Sequence, residues 1–69
     1  MPDLTDPDTI YDARRALGLT LSEMADALQL EGPNAKDTVR AWESGKKAIS
    51  GPARVAIGFM LDRAGIRLD

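Results

Sequence analysis

The sequence predicts an all-α protein: a compact bundle of four to five helices in a single domain. Three observations carry this expectation. Helix-opening signals recur along the 69 residues at Asp6-Pro7-Asp8, Thr20-Leu21-Ser22-Glu23, Asn34 and Ser50-Gly51-Pro52. Apolar runs end at Gly18, Gly45 and Gly65, residues that adopt the left-handed helix stop without a steric penalty. No strand pattern is present, and only Ile66-Arg67-Leu68-Asp69 alternates, as a short extended tail.

Each element has its own justification. Residues 1–6 read as a flexible acidic leader. Asp6 caps a first helix over about 7–17, with Pro7 at its first position and Asp8 near its positive end. Ile10, Ala13, Arg14 and Leu17 share one face of it. Thr20 and Glu23 form a capping box for a second helix over about 21–29, stapled by Leu19 and Met24. Leu21, Met24, Ala25 and Leu28 make its apolar stripe. Glu31-Gly32-Pro33-Asn34 breaks the pattern. Asn34 is then the expected cap, with Asp37 as its partner, of a third helix over about 35–43. Ser44-Gly45 ends it, and Lys46-Lys47-Ala48-Ile49 is a loop with one apolar anchor. The last helix, about 51–64, is apolar nearly all round, which calls for two packing partners. In so small a domain a second copy of the chain is the expected second partner.

Composition narrows function. The chain has no Cys and no His. That removes disulfides, zinc sites, thiol nucleophiles and imidazole acid–base chemistry, and points to a binding module rather than a self-contained enzyme. The carboxylates at 3–12 are expected to be a solvated, helix-capping leader, not a metal site. No cofactor is implied. The start lacks the basic-then-apolar order of a signal peptide, and no apolar run approaches the ~18–20 residues that cross a bilayer, so no membrane association and a cytoplasmic location are expected.

The formal net charge of −2 conceals a polarised distribution. Residues 1–12 carry Asp3, Asp6, Asp8 and Asp12 and no base. Residues 36–54 carry Lys36, Arg40, Lys46, Lys47 and Arg54 against Asp37 and Glu43. A local basic segment in an acidic chain is what a phosphate backbone meets, because the Debye length is only about 8 Å.

Two blocks then carry a resemblance. Ala13-Arg14-Arg15-Ala16-Leu17-Gly18-Leu19-Thr20-Leu21-Ser22-Glu23-Met24-Ala25 is the first. Thr38-Val39-Arg40-Ala41-Trp42-Glu43-Ser44-Gly45-Lys46, followed by Ile49 and Gly51-Pro52, is the second. In this order and distance they resemble the Cro/C1-type (XRE-like) helix-turn-helix family of phage repressors, over roughly residues 8–62. The resemblance implies a lambda-repressor-like DNA-binding domain over 7–64. It implies a sequence-specific regulator of transcription, mainly a repressor, that binds a palindromic double-stranded operator as a homodimer and excludes polymerase.

The resemblance also implies roles for residues. The third helix would enter the major groove with Asn34, Lys36, Asp37, Arg40 and Ala41 outward. Lys36 matches a base-contacting position. Arg40 suits guanine or a phosphate, Asp37 suits cytosine N4 or a helix cap, and Ala41 suits a thymine methyl. Ser44, Gly45, Lys46 and Lys47 match a phosphate-contacting loop, and Thr20 and Ser22 another phosphate site at a helix N-terminus. Arg14 and Glu43 match a structural ion pair. Leu17, Met24, Leu28, Val39, Trp42 and Ile57 are the expected core. Val55, Phe59, Met60, Ile66 and Leu68, the last two in the 65–69 tail, are the expected dimer contacts.

The chain departs from the family pattern in three places. Gln29 stands where a turn Gly is usual, and Leu21 where a phosphate-binding Gln is frequent. Seven residues, Glu31 to Asp37, separate Leu30 from Thr38, where the family has about three. The extra residues, about one helical turn, either lengthen the third helix or form a loop. Pro33 favours the loop, followed by a helix from near Asn34. A protein-binding module on the same fold is the alternative function: an antitoxin whose acidic leader binds a toxin, or a phage-encoded inhibitor.

Overall fold

The computed structural model describes residues 3–68. Four helices follow in order: α1 (Pro7–Ala16), α2 (Leu21–Ala27), α3 (Ala35–Ser44) and α4 (Gly51–Ala64). No strand occurs among the described residues. The Cα radius of gyration is 10.8 Å, close to the roughly 11 Å expected of a compact chain this long. Among the described residues, no helix is long and apolar enough to cross a membrane.

Local chemistry sets most helix ends. The Asp8 N–H donates to the Asp6 carboxylate at 2.9 Å, and Pro7 needs no partner for a missing N–H. At α2 the Glu23 N–H donates to Thr20 Oγ1 (3.1 Å) and the Thr20 N–H to Glu23 Oε1 (2.9 Å), so the box closes. The Ala53 N–H donates to Ser50 Oγ at the start of α4. Gly45 and Gly65 end α3 and α4 at φ +81° and +70°.

Two helix ends differ from the sequence expectation. Helix α2 stops at Ala27 instead of 29, because Gln29 takes φ +57° and the Leu30 N–H bonds the Ala25 carbonyl. Asn34 occupies the N-cap position of α3 but its side chain makes no cap bond. A cap needs extended backbone to fold its side chain over the first turn. Asn34 sits instead at φ −106°, ψ 18°, and its carbonyl accepts the Asp37 and Thr38 N–H groups. The extra residues of the linker thus form a turn ahead of α3.

Gln29 is the only non-glycine with positive φ among the described residues. A side chain there costs about 1–2 kcal/mol, part of which glycine returns as chain entropy in the unfolded state. Gln29→Gly is expected to stabilise the fold by about 0.5–1 kcal/mol and to raise the midpoint of thermal unfolding by several degrees. A lower midpoint in a melting experiment would contradict strain at this turn.

The core is built from Leu4, Ile10, Ala13, Met24, Ala25, Val39, Trp42, Ala53, Ile57 and Leu61. Met24, Val39, Trp42 and Ile57 were expected there. Leu17 and Leu28 are only partly buried, at the core's rim. Helix α3 packs on both α1 and α2, so Trp42 lies between layers.

The leader is less loose than expected. Leu4 is 6% exposed. The Asp6 N–H donates to the Asp3 carbonyl, and this turn folds Leu4 back onto the core. The Thr5 hydroxyl and N–H both donate to the Asp3 carboxylate and hold its pKa below the ordinary value. Met1, Pro2 and Asp69, also parts of the expected leader and tail, lie outside the described residues.

The expected dimer set divides. Val55 and Phe59 are 59% and 65% exposed, one helical turn apart on the outer face of α4. Met60, Ile66 and Leu68 instead pack partly buried against the chain's own core. Met60 follows Phe59 by one residue, about 100° around the helix, so the two cannot share a face. The Ile66 N–H bonds the Leu61 carbonyl and turns the tail inward.

Candidate nucleic-acid interface

Helix α3 has a clear division of faces. Val39 and Trp42 point into the core. Lys36, Asp37, Arg40 and Ser44 are exposed and recur at helical spacing on the opposite side, with Ala41 half-buried beside them. Asp37, Arg40, Ala41, Ser44 and Lys46 line one open groove along the helix. Lys36 lines a second groove with Ser22, Asp26 and Ala35, between α2 and α3. Of the residues singled out from the sequence, these two grooves bring together Asp37, Arg40, Ala41, Ser44 and Lys46, and separately Ser22 and Lys36. Asn34, Thr20, Gly45 and Lys47 are exposed but line neither groove.

The loop after α3 is held by one acceptor. The Lys46 N–H (2.9 Å), the Lys47 N–H (3.3 Å) and the Ser44 hydroxyl (3.2 Å) all donate to the Ala41 carbonyl. The left-handed turn at Gly45 makes this convergence possible. It leaves both lysine side chains exposed, and neither they nor Lys36 make an ion pair among the described residues. The same geometry commits two of the implied phosphate donors to the helix end. The Gly45 N–H donates to the Trp42 carbonyl, and the Ser44 hydroxyl proton is given to Ala41, so neither is free for a phosphate in this arrangement. At α2 the Thr20 N–H is also committed, to Glu23, which sets a carboxylate at that helix end. Of the phosphate contacts that the resemblance implies, the side chains of Ser22, Lys46 and Lys47 are exposed and make no hydrogen bond or ion pair among the described residues.

Behind this face stands the pair of Arg14 and Glu43. Arg14 Nε donates to Glu43 Oε2 at 2.7 Å and Nη2 to Oε1 at 3.1 Å, while Nη1 donates to the Leu19 carbonyl at 2.9 Å. The two side chains are 12% and 10% exposed. The contact joins the end of α1, the turn into α2 and the end of α3. Hydrogen bonding to Glu43 raises the Arg14 pKa above its ordinary value, so its charge is fixed.

Two arrangements were not foreseen. Arg40 Nη1 donates to Asp37 Oδ1 at 3.2 Å, where Asp37 was expected to act as a cap or base contact. Tyr11, 41% exposed, lies under the guanidinium groups of Arg14 and Arg15 at 5.3 and 5.8 Å. The i, i+3 and i, i+4 spacings of these residues are the sequence signals for both.

No protein-family model matches the chain, and no curated protein or solved structure matches it.

Proposed function

We propose that the chain is a sequence-specific double-stranded DNA-binding regulator of transcription, acting as a repressor in the cytoplasm, with α2 and α3 as its helix-turn-helix. The observation that carries this reading is the outer face of α3. Lys36 and Arg40 on the helix and Lys46 and Lys47 in the loop after it are all exposed, Arg40 and Lys46 within one groove, on a helix backed by Val39 and Trp42, in a chain that is acidic overall. A helix of this kind offers its N-terminal side chains to base edges while flanking lysines hold phosphates. The regulator works as a two-fold dimer joined through the Val55–Phe59 face, with half-sites about 34 Å apart.

Titration of the full chain against a randomised duplex pool, at several salt concentrations, tests this. Two lysine–phosphate contacts per subunit, from Lys46 and Lys47, predict a log–log salt slope of about −1.8, or roughly a 12-fold loss of affinity between 50 and 200 mM salt. A dimer doubles the slope. Affinity that is absent, or indifferent to salt, refutes the proposal. Indifference to salt would favour the second reading, a protein-binding module such as an antitoxin or inhibitor. One observation supports that reading: Asp3, Asp6, Asp8 and Asp12, ahead of α1 and along its first half, are all exposed.

A further inference from the structure

We infer that Asp37 is a positioning residue that turns Arg40 into a reader of guanine rather than a phosphate clamp. This rests on the DNA-binding reading above and adds a specificity determinant to it. The starting point is the 3.2 Å contact from Arg40 Nη1 to Asp37 Oδ1, on the exposed face of α3 and within the groove shared with Ala41, Ser44 and Lys46.

A guanidinium has five N–H donors in a rigid fork. When Nη1 is held, the edge formed by Nε and Nη2 stays free as a parallel pair of donors. Arg14 displays this division within the same fold: its Nη1 goes to the Leu19 carbonyl while its Nε and Nη2 grip both oxygens of Glu43. The O6 and N7 acceptors of guanine present a matching pair in the major groove. Arg40 has the same restraint on Nη1, but its Nε and Nη2 donate to no protein acceptor among the described residues.

Charge adds to geometry. Asp37 and Arg40 together are nearly neutral, so a phosphate drawn to the guanidinium also meets a carboxylate. A guanine edge carries no formal charge and meets no such repulsion. The pair is weak while solvated, since the Arg40 and Asp37 side chains are 61% and 50% exposed, and exposed pairs contribute little. Its effect appears when a groove excludes water around it and the restrained Arg40 need not be ordered on contact.

The test is selection from random duplexes with the full chain, followed by titration of the selected and base-substituted sites. Wild type is expected to favour guanine at one position of each half-site by roughly 5- to 100-fold. Arg40→Ala should abolish that preference. Asp37→Ala should reduce it about fivefold or more and leave the other positions unchanged. Asp37→Asn, whose amide oxygen still accepts an N–H, should keep part of it. Far-UV circular dichroism confirms that each variant retains its helices, and Asp37→Asn serves if Asp37→Ala does not.

An Asp37→Ala variant with the full guanine preference would overturn the inference. So would Arg40→Ala weakening every sequence alike and flattening the salt slope by about one phosphate, which would place Arg40 on the backbone. Duplex binding by wild type without any base preference ends this inference and leaves DNA binding standing. No duplex binding at all ends both.

Discussion

Arg14→Ala is expected to destabilise the fold by about 3 kcal/mol, enough to lower the thermal midpoint by more than 10 °C. The substitution leaves the Glu43 carboxylate without its partner at 10% exposure and removes the donor to the Leu19 carbonyl. Stranding a shielded charge is far costlier than the net worth of the pair. A domain of this size has roughly 3–10 kcal/mol in all, so the variant should stand at the edge of folding. Replacing both partners with apolar side chains, Arg14→Met with Glu43→Leu, should recover most of the loss. Urea unfolding followed by circular dichroism measures all three. A single-variant cost under about 1 kcal/mol would mean that α1 and α3 are held together by other contacts.

Trp42→Ala is expected to cost about 4 kcal/mol and to leave little folded protein at 37 °C. Trp42 is 5% exposed and lies in the buried cluster with Ile10, Met24 and Val39. Its removal opens a void that the short helices around it can close only by shifting. Trp42→Phe keeps much of the contact and should cost markedly less. The comparison is made by urea denaturation read at 222 nm, because the chain's only tryptophan is the one replaced. Equal midpoints for Trp42→Ala and wild type would show that α3 does not depend on this side chain.

Much of the fold was legible because helix ends are written in local chemistry. Asp6-Pro7, the Thr20–Glu23 box and Ser50 announced the starts of α1, α2 and α4, and Gly18, Gly45 and Gly65 the ends of α1, α3 and α4. Three features were not legible, for identifiable reasons. Leu4 is a lone apolar residue among carboxylates, with no period to show that it turns inward. Gln29 as a residue type carries no sign of a left-handed backbone, and only the turn Gly that the resemblance places at this position hinted at it. Asn34 and Asp37 match a capping pattern, and only the backbone angles at Asn34 decide against it.

The candidate site divides in the same way. The outward set on α3 follows from helical spacing once Val39 and Trp42 are placed inside. The contact between Arg14 and Glu43 spans 29 residues, beyond the reach of any spacing rule, and entered only through the resemblance. Commitment of the Ser44 hydroxyl and the Gly45 N–H to α3's own end depends on atomic geometry that residue types do not carry.

Convergence of three donors on the Ala41 carbonyl has a kinetic side. In the proposed DNA-binding role, a backbone tethered in this way would present Lys46 and Lys47 to a polyanion on a pre-formed platform. Under that proposal encounters would succeed without waiting for the segment to fold up, and only the lysine stems would remain to be immobilised.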